Sequence, residues 1–220
     1  MKYLFLTLLG IFSAIHLYHS WQDKGIHRAK TKPFLLLFLI LYYVFATDKV
    51  ELFLMLALIA SWLGDVLLIP AGNKWFVMGG ISFMISHFFF ILTYYPNIDF
   101  SKVIWPIALP MAVVYFGISI LIIRAVKAKT PKSMLFPMCF YLFCNSTMNL
   151  FALMQLMTHM NKGAVFAIIG AALFFVSDCC LFLVRYGKRP TVIFKKHFTV
   201  MLTYILGEFL IVLGMMYINA

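Results

Sequence analysis

Long apolar stretches separated by short polar connectors dominate the chain. The apolar runs cover Tyr3–Tyr18, Pro33–Thr47, Val50–Ile69, Trp75–Tyr95, Lys102–Ile123, Ser133–Leu156, Gly163–Val184 and Phe198–Ile218. Crossing about 30 Å of hydrocarbon takes about 20 residues of helix. Backbone N–H and C=O groups find no water in lipid, so each run is predicted to be α-helical throughout. The second run is the shortest. The connectors are too short to hold a soluble domain. The pattern therefore predicts an all-α, polytopic membrane bundle of about eight transmembrane helices, one integral membrane domain over residues 1–220.

Composition agrees: 64% of the 220 residues are hydrophobic and 11% charged, against about half and about a quarter in soluble domains. The net charge of +11 would fit a nucleic-acid binder, but the placement of the cations excludes one. With eight spans, fourteen of the eighteen basic residues fall in alternate loops. These are Lys24, Arg28, Lys30 and Lys32; Lys74; Arg124, Lys127, Lys129 and Lys132; and Arg185, Lys188, Arg189, Lys195 and Lys196. Only Lys2, Lys49, Lys102 and Lys162 lie on the other side. The positive-inside rule then puts the basic loops in the cytoplasm and both termini outside. Removing the short second span spoils the asymmetry, which favours eight spans over seven. The basic side also offers a surface to anionic headgroups.

All four cysteines, Cys139, Cys144, Cys179 and Cys180, fall within predicted spans, so no disulfide framework is expected. The first run resembles a signal peptide but lacks a small-x-small cleavage site and leads into a basic loop, as a retained span would.

Ionisable groups at membrane depth mark functional positions. Of the seven acidic residues, Asp65, Asp178 and Glu208 lie inside spans three, seven and eight, and His87 lies midway along span four. The predicted topology puts both aspartates near the cytoplasmic ends of their helices. Their contexts are alike, Ser61-Trp62-Leu63-Gly64-Asp65-Val66 and Phe175-Val176-Ser177-Asp178-Cys179, four helices apart. Lys30-Thr31-Lys32-Pro33 opens span two much as Lys129-Thr130-Pro131-Lys132 opens span six. This suggests two repeated four-helix halves, 1–123 and 124–220.

Helical spacing identifies the interior faces. Tyr141, Asn145 and Asn149 form an i, i+4, i+8 polar stripe on span six that would be costly against lipid. Ala164, Ala171 and Asp178 share a face of span seven, Gly79, Ser82 and Ser86 form a small-residue track on span four, and Tyr204 and Glu208 are i, i+4 on span eight. These faces are expected to converge on one polar pocket. The plainer alternative leaves Asp65 at interface height in contact with water, pairs Asp178 with Arg185, and makes the asparagine stripe interhelical glue.

Two carboxyls in a low-dielectric site divide into a proton donor and a charged partner. Such a pair suits hydrolysis of an acid-labile bond through an oxocarbenium ion, as in glycosidases. A vinyl ether breaks in this way, by protonation of the alkenyl carbon, addition of water and collapse of the hemiacetal, with no metal or nucleotide cofactor required.

The chain resembles the lysoplasmalogenase-like YhhN family over nearly its whole length. The matching segments are Thr31-Lys32-Pro33, Ser61 to Leu68, Ser86 to Phe90, Tyr141, Gly170 to Asp178 and Thr203 to Ile211. The resemblance implies a hydrolase acting on the vinyl ether of lysoplasmalogens, giving a fatty aldehyde and glycerophosphocholine or glycerophosphoethanolamine. By motif it implies Asp65 and Asp178 as the acid/base pair, with Lys32, His87, Tyr141 and Glu208 as supporting polar groups. Glu208 departs from the family pattern, in which an amide or another polar residue more often follows the tyrosine. Asn145 and Tyr204 are added as pocket-lining groups, and Lys32 and Arg185 as partners for a substrate phosphate. The expected partners are a lysophospholipid and membrane lipids, in a bacterial cytoplasmic membrane with the active site facing the cytoplasm.

Three rival classes are weaker. An intramembrane aspartyl protease would carry Gly-x-Gly-Asp, and only Leu63-Gly64-Asp65 approximates it. A zinc lipid hydrolase needs clustered histidines at ligand spacing, whereas only His16 and His19 stand three apart near the end of span one, and they are expected to be remote from Asp65. A non-enzymatic lipid binder or transporter, using buried acids to bind cations or protons, is the principal alternative.

Overall fold

The computed structural model describes residues 1–188 and 193–218. Arg189, one of the cations assigned above to the last basic loop, lies outside the described residues. Among those residues the chain forms eight α-helices and no strand: α1 Lys2–Trp21, α2 Gly25–Ala46, α3 Leu52–Leu67, α4 Asn73–Tyr94, α5 Trp105–Val126, α6 Lys132–Thr158, α7 Lys162–Tyr186 and α8 His197–Ile218. A single 3-10 turn, Tyr95–Asn97, follows α4. Seven helices are long and apolar enough to cross a membrane, and α3 is a shorter apolar helix. The packing divides into two compact units, Met1–Phe89 and Phe90–Ala220.

Two helices differ from the hydrophobic pattern. The second is 22 residues long, not the shortest, because it begins at Gly25 and carries Arg28, Lys30 and Lys32 in its first turns. Thr31-Lys32-Pro33 therefore lies inside α2 and does not open it. Polar side chains do not stop a helix whose backbone bonds are made, and long basic side chains can lead their charges away from apolar surroundings. Pro33 removes the backbone donor that would meet the Ala29 carbonyl, and side chains bond other carbonyls around it. Thr31 Oγ1 reaches back to the carbonyls of His27 and Arg28 at 3.4 and 3.2 Å, and Trp62 Nε1 of α3 donates to the Pro33 carbonyl at 2.9 Å.

The short helix is instead α3, with 16 residues, or roughly 24 Å at a rise of 1.5 Å per residue. Both of its ends are set by side-chain chemistry. At the start, Glu51 Oε2 accepts from the Leu54 amide at 2.9 Å and the Tyr43 hydroxyl accepts from the Glu51 amide at 2.8 Å, so the first-turn donors are capped. At the end come Pro70 and then Gly72, whose φ of +118° a side chain would resist.

In the first unit, α3 and the start of α4 pack through small residues, as the Gly79, Ser82, Ser86 track predicts. Ser82 Oγ donates to the Ala60 carbonyl at 2.7 Å, and the Ser61 and Ser86 hydroxyls lie 2.7 Å apart. A β-carbon on Gly79 would meet the Leu68 side chain at 2.8 Å.

In the second unit, α7 and α8 run antiparallel with their backbones in contact. A β-carbon on Gly170 would fall 2.6 Å from the Gly207 carbonyl oxygen, and one on Gly163 would fall 2.7 Å from the Gly214 carbonyl oxygen. Ser177 Oγ donates to the Val200 carbonyl at 2.9 Å in the same register. The seven-residue spacing of Gly163 and Gly170, matched by Gly207 and Gly214, makes this approach possible. Asn161 Oδ1 caps the start of α7 by accepting from the Ala164 amide at 2.9 Å. Helices α5 and α6 are tied by the Ser119 and Ser146 hydroxyls, 2.9 Å apart.

Candidate functional site

Each aspartate is held within its own unit by different chemistry. Asp65 is in the last turn of α3 and only 1% exposed. The Lys32 ammonium of α2 lies 3.1 Å from Asp65 Oδ1, with the Lys32 side chain 16% exposed. Asp65 does not sit at the interface in open contact with water, and Lys32 is not simply a loop cation waiting for a phosphate. The pair is an ion pair taken largely out of solvent, in which removing either partner strands a charge. One helical turn before Asp65, Ser61 meets Ser86, and His87 follows as a fully buried side chain on α4.

The α1–α2 hairpin also brings His16 into this region. Its Nδ1 lies 2.8 Å from Thr31 Oγ1, and Thr31 adjoins the lysine that holds Asp65. The expectation that His16 is remote from Asp65 is therefore overturned. The short turn after Trp21 folds the last part of α1 back along the first turns of α2, which is longer at that end than the apolar pattern implies.

Asp178 lies on α7 and is 4% exposed. Two neutral donors from α6 converge on one of its oxygens: the Tyr141 hydroxyl donates to Oδ2 at 2.6 Å and Asn145 Nδ2 donates to it at 2.7 Å. Asn149 Nδ2 donates in turn to Asn145 Oδ1 and to the Asn145 carbonyl, both at 3.0 Å. That fixes which way the Asn145 amide faces, since its oxygen is already accepting and its nitrogen must point at the carboxyl. The i, i+4, i+8 stripe is thus an ordered relay ending on Asp178. The Tyr141 ring is buttressed edge-on by Phe182, with centroids 5.5 Å apart.

Glu208 is fully buried on α8, within electrostatic reach of the Tyr141 and Tyr94 hydroxyls. Tyr204, one turn earlier, packs its ring edge-on against Phe174 at 5.4 Å. Arg185 is exposed near the end of α7, where its guanidinium lies over the Tyr186 ring and Nε donates to the Tyr186 hydroxyl at 3.0 Å. The structure thus brings Lys32 to Asp65, and Tyr141 and Asn145 to Asp178.

Eight largely apolar helices, with an ion pair buried in the first unit and a carboxyl held by an amide relay in the second, define a polytopic membrane protein. The chain belongs to the YhhN family, whose family model matches residues 27–215. No curated protein and no solved structure matches it. The matched span includes both aspartates and the partners described for them.

Proposed function

We propose that this YhhN-family protein is a lysoplasmalogenase, hydrolysing the vinyl ether of a lysoplasmalogen with Asp65 and Asp178 as its acid/base carboxyls. In this reading a carboxyl delivers a proton to the alkenyl carbon distal to the ether oxygen. The oxocarbenium ion that forms takes up water, which gives up a proton to a carboxylate. The resulting hemiacetal collapses to a fatty aldehyde and a glycerophospho headgroup with its hydroxyl restored. One water is consumed and no electrons are exchanged. The apolar chain of such a substrate suits a protein whose solvent is lipid, and the basic loops, read as cytoplasmic, suit its phosphate.

The observation carrying the proposal is the setting of Asp178, a carboxyl 4% exposed with Tyr141 and Asn145 both aimed at Oδ2. A buried carboxyl orientated this firmly is arranged for proton chemistry more than for packing. The test is aldehyde release by purified protein from an alkenyl lysophospholipid, with the acyl counterpart as control. Aldehyde from the alkenyl substrate alone is expected, with turnover abolished in Asp65→Asn and in Asp178→Asn while both remain folded. Full activity in either variant removes that residue from the chemistry. Binding of the lipid without aldehyde in the wild type would favour a lipid-binding or transport protein instead.

A further inference from the structure

The α1–α2 hairpin carries a second polar cluster that the acid/base chemistry does not use. On α1, Ser13, His16 and Ser20 follow at i, i+3 and i+7, so they share one face. His16 is 1% exposed and Ser20 is 2% exposed. His16 Nε2, Ser13 Oγ and Ser20 Oγ are buried and make no hydrogen bond. Buried polar atoms of this kind destabilise the fold unless something satisfies them. From α2, Arg28 and Lys32 both act electrostatically on His16. Arg28 Nη1 is likewise buried without a hydrogen bond. Its nearest acid, Asp23, is 3.4 Å away with its side chain 65% exposed on the turn, which makes that pair a loose one open to competition.

We infer that this cluster is a recognition site for the glycerophosphate part of a single-chain phospholipid. Arg28 Nη1, Ser20 Oγ and a remaining proton of the Lys32 ammonium supply donors to a phosphate oxygen. Lys32 has three donors, and Asp65 lies on one side of it. The free hydroxyl next to the phosphate goes to His16. Thr31 Oγ1 has its own proton directed at the His27 and Arg28 carbonyls, so it accepts from His16 Nδ1–H at 2.8 Å. This tautomer leaves Nε2 of the neutral ring as an acceptor. A phosphodiester has no proton to offer it, whereas a lysolipid hydroxyl does. A diacyl lipid, with that hydroxyl esterified, would leave Nε2 unsatisfied, so the cluster selects for one chain. The inference rests on the proposed function only for the identity of the lipid.

The test is binding to the full-length protein in detergent, using an alkyl ether lysophospholipid that has no vinyl ether to hydrolyse. Three ligands are compared with it: its 2-O-methyl analogue, the alkylglycerol without phosphate, and free glycerophosphate. Loss of the phosphate is expected to weaken binding about tenfold or more, the scale of a charge-assisted hydrogen bond. O-methylation is expected to weaken binding in the wild type but to make no difference in His16→Ala. Arg28→Gln should remove most of the preference for the phosphorylated ligand, and melting temperatures of the variants separate misfolding from lost contacts. Free glycerophosphate should bind measurably more weakly than the lipid; equal affinity would identify a soluble phosphate ester as the ligand and overturn the lipid assignment. Equal affinity of wild-type protein for the alkylglycerol and the lysophospholipid would overturn the site itself without any variant. Normal discrimination here, with no aldehyde from the alkenyl lipid, would sink the catalytic proposal and leave this one standing.

Discussion

Replacing Asp178 separates its structural from its chemical role, because both described donors meet the same oxygen. In Asp178→Asn the amide oxygen can take the place of Oδ2, keeping the Tyr141 hydroxyl at 2.6 Å and Asn145 Nδ2 at 2.7 Å. In Asp178→Ala both donors lose that acceptor inside a site 4% exposed. Leaving a buried donor unsatisfied costs about 1–3 kcal/mol, so the alanine variant should lose about 2–6 kcal/mol for the two. The asparagine variant retains both bonds with a neutral acceptor and should lose no more than about 1–2 kcal/mol. Thermal unfolding in detergent, followed by tryptophan fluorescence, ranks the two, and aldehyde release from an alkenyl lysophospholipid is measured on the same preparations. The expected pattern is asparagine near wild type in stability, alanine well below it, and neither active. Equal melting temperatures for the two variants would refute the claim that Tyr141 and Asn145 depend on Asp178.

Lys32→Met should strand a carboxylate 1% exposed and cost about 3–5 kcal/mol, while Lys32→Met with Asp65→Asn should recover most of that loss; a double-mutant cycle with no coupling would show that the ion pair contributes nothing. Gly170→Leu drives a side chain toward the Gly207 carbonyl, 2.6 Å from the would-be β-carbon, and should cost about 1–3 kcal/mol or more through overpacking, seen as a lower melting temperature. Gly10→Leu, where a β-carbon meets nothing within 4 Å, should be close to silent in the same assay. For topology, a reporter fused after residue 220 should signal from outside the cytoplasm, and a cytoplasmic signal would reverse the orientation.

Hydrophobic runs located seven of the helices to within a few residues, because in lipid the apolar length and the helix length are set by the same slab. They missed the start of α2, which lies at Gly25 and not Pro33, and ran past α3 by two residues at each end, where the boundary is decided by backbone and capping chemistry. Arg28, Lys30 and Lys32 read as a loop on charge alone, yet they are helical, and the run through Ile69 read as a full span although Glu51, Pro70 and Gly72 confine the helix to Leu52–Leu67. Part of the candidate site was legible for a similar reason. Tyr141, Asn145 and Asn149 fall on one face by arithmetic, but that the stripe ends on Asp178 depends on how α6 meets α7. Nor could spacing reveal that Lys32 reaches Asp65, since the pairing joins two helices. The paired Gly163/Gly170 and Gly207/Gly214 intervals were visible as equal seven-residue steps, and were the signal that would have predicted the α7–α8 contact.

That contact constrains how the second unit can move. Bulkier side chains flank the four glycines, so sliding α8 along α7 by a single turn would drive them into the opposing backbone and break the Ser177–Val200 bond as well. The two helices are keyed together like a ratchet pinned at three teeth, and Asp178, carried one residue beyond the last tooth, has a fixed height relative to Val200. Any breathing of the second unit that admits a long-chain molecule must therefore come from its other helices, with α7 and α8 as the stationary post against which they turn.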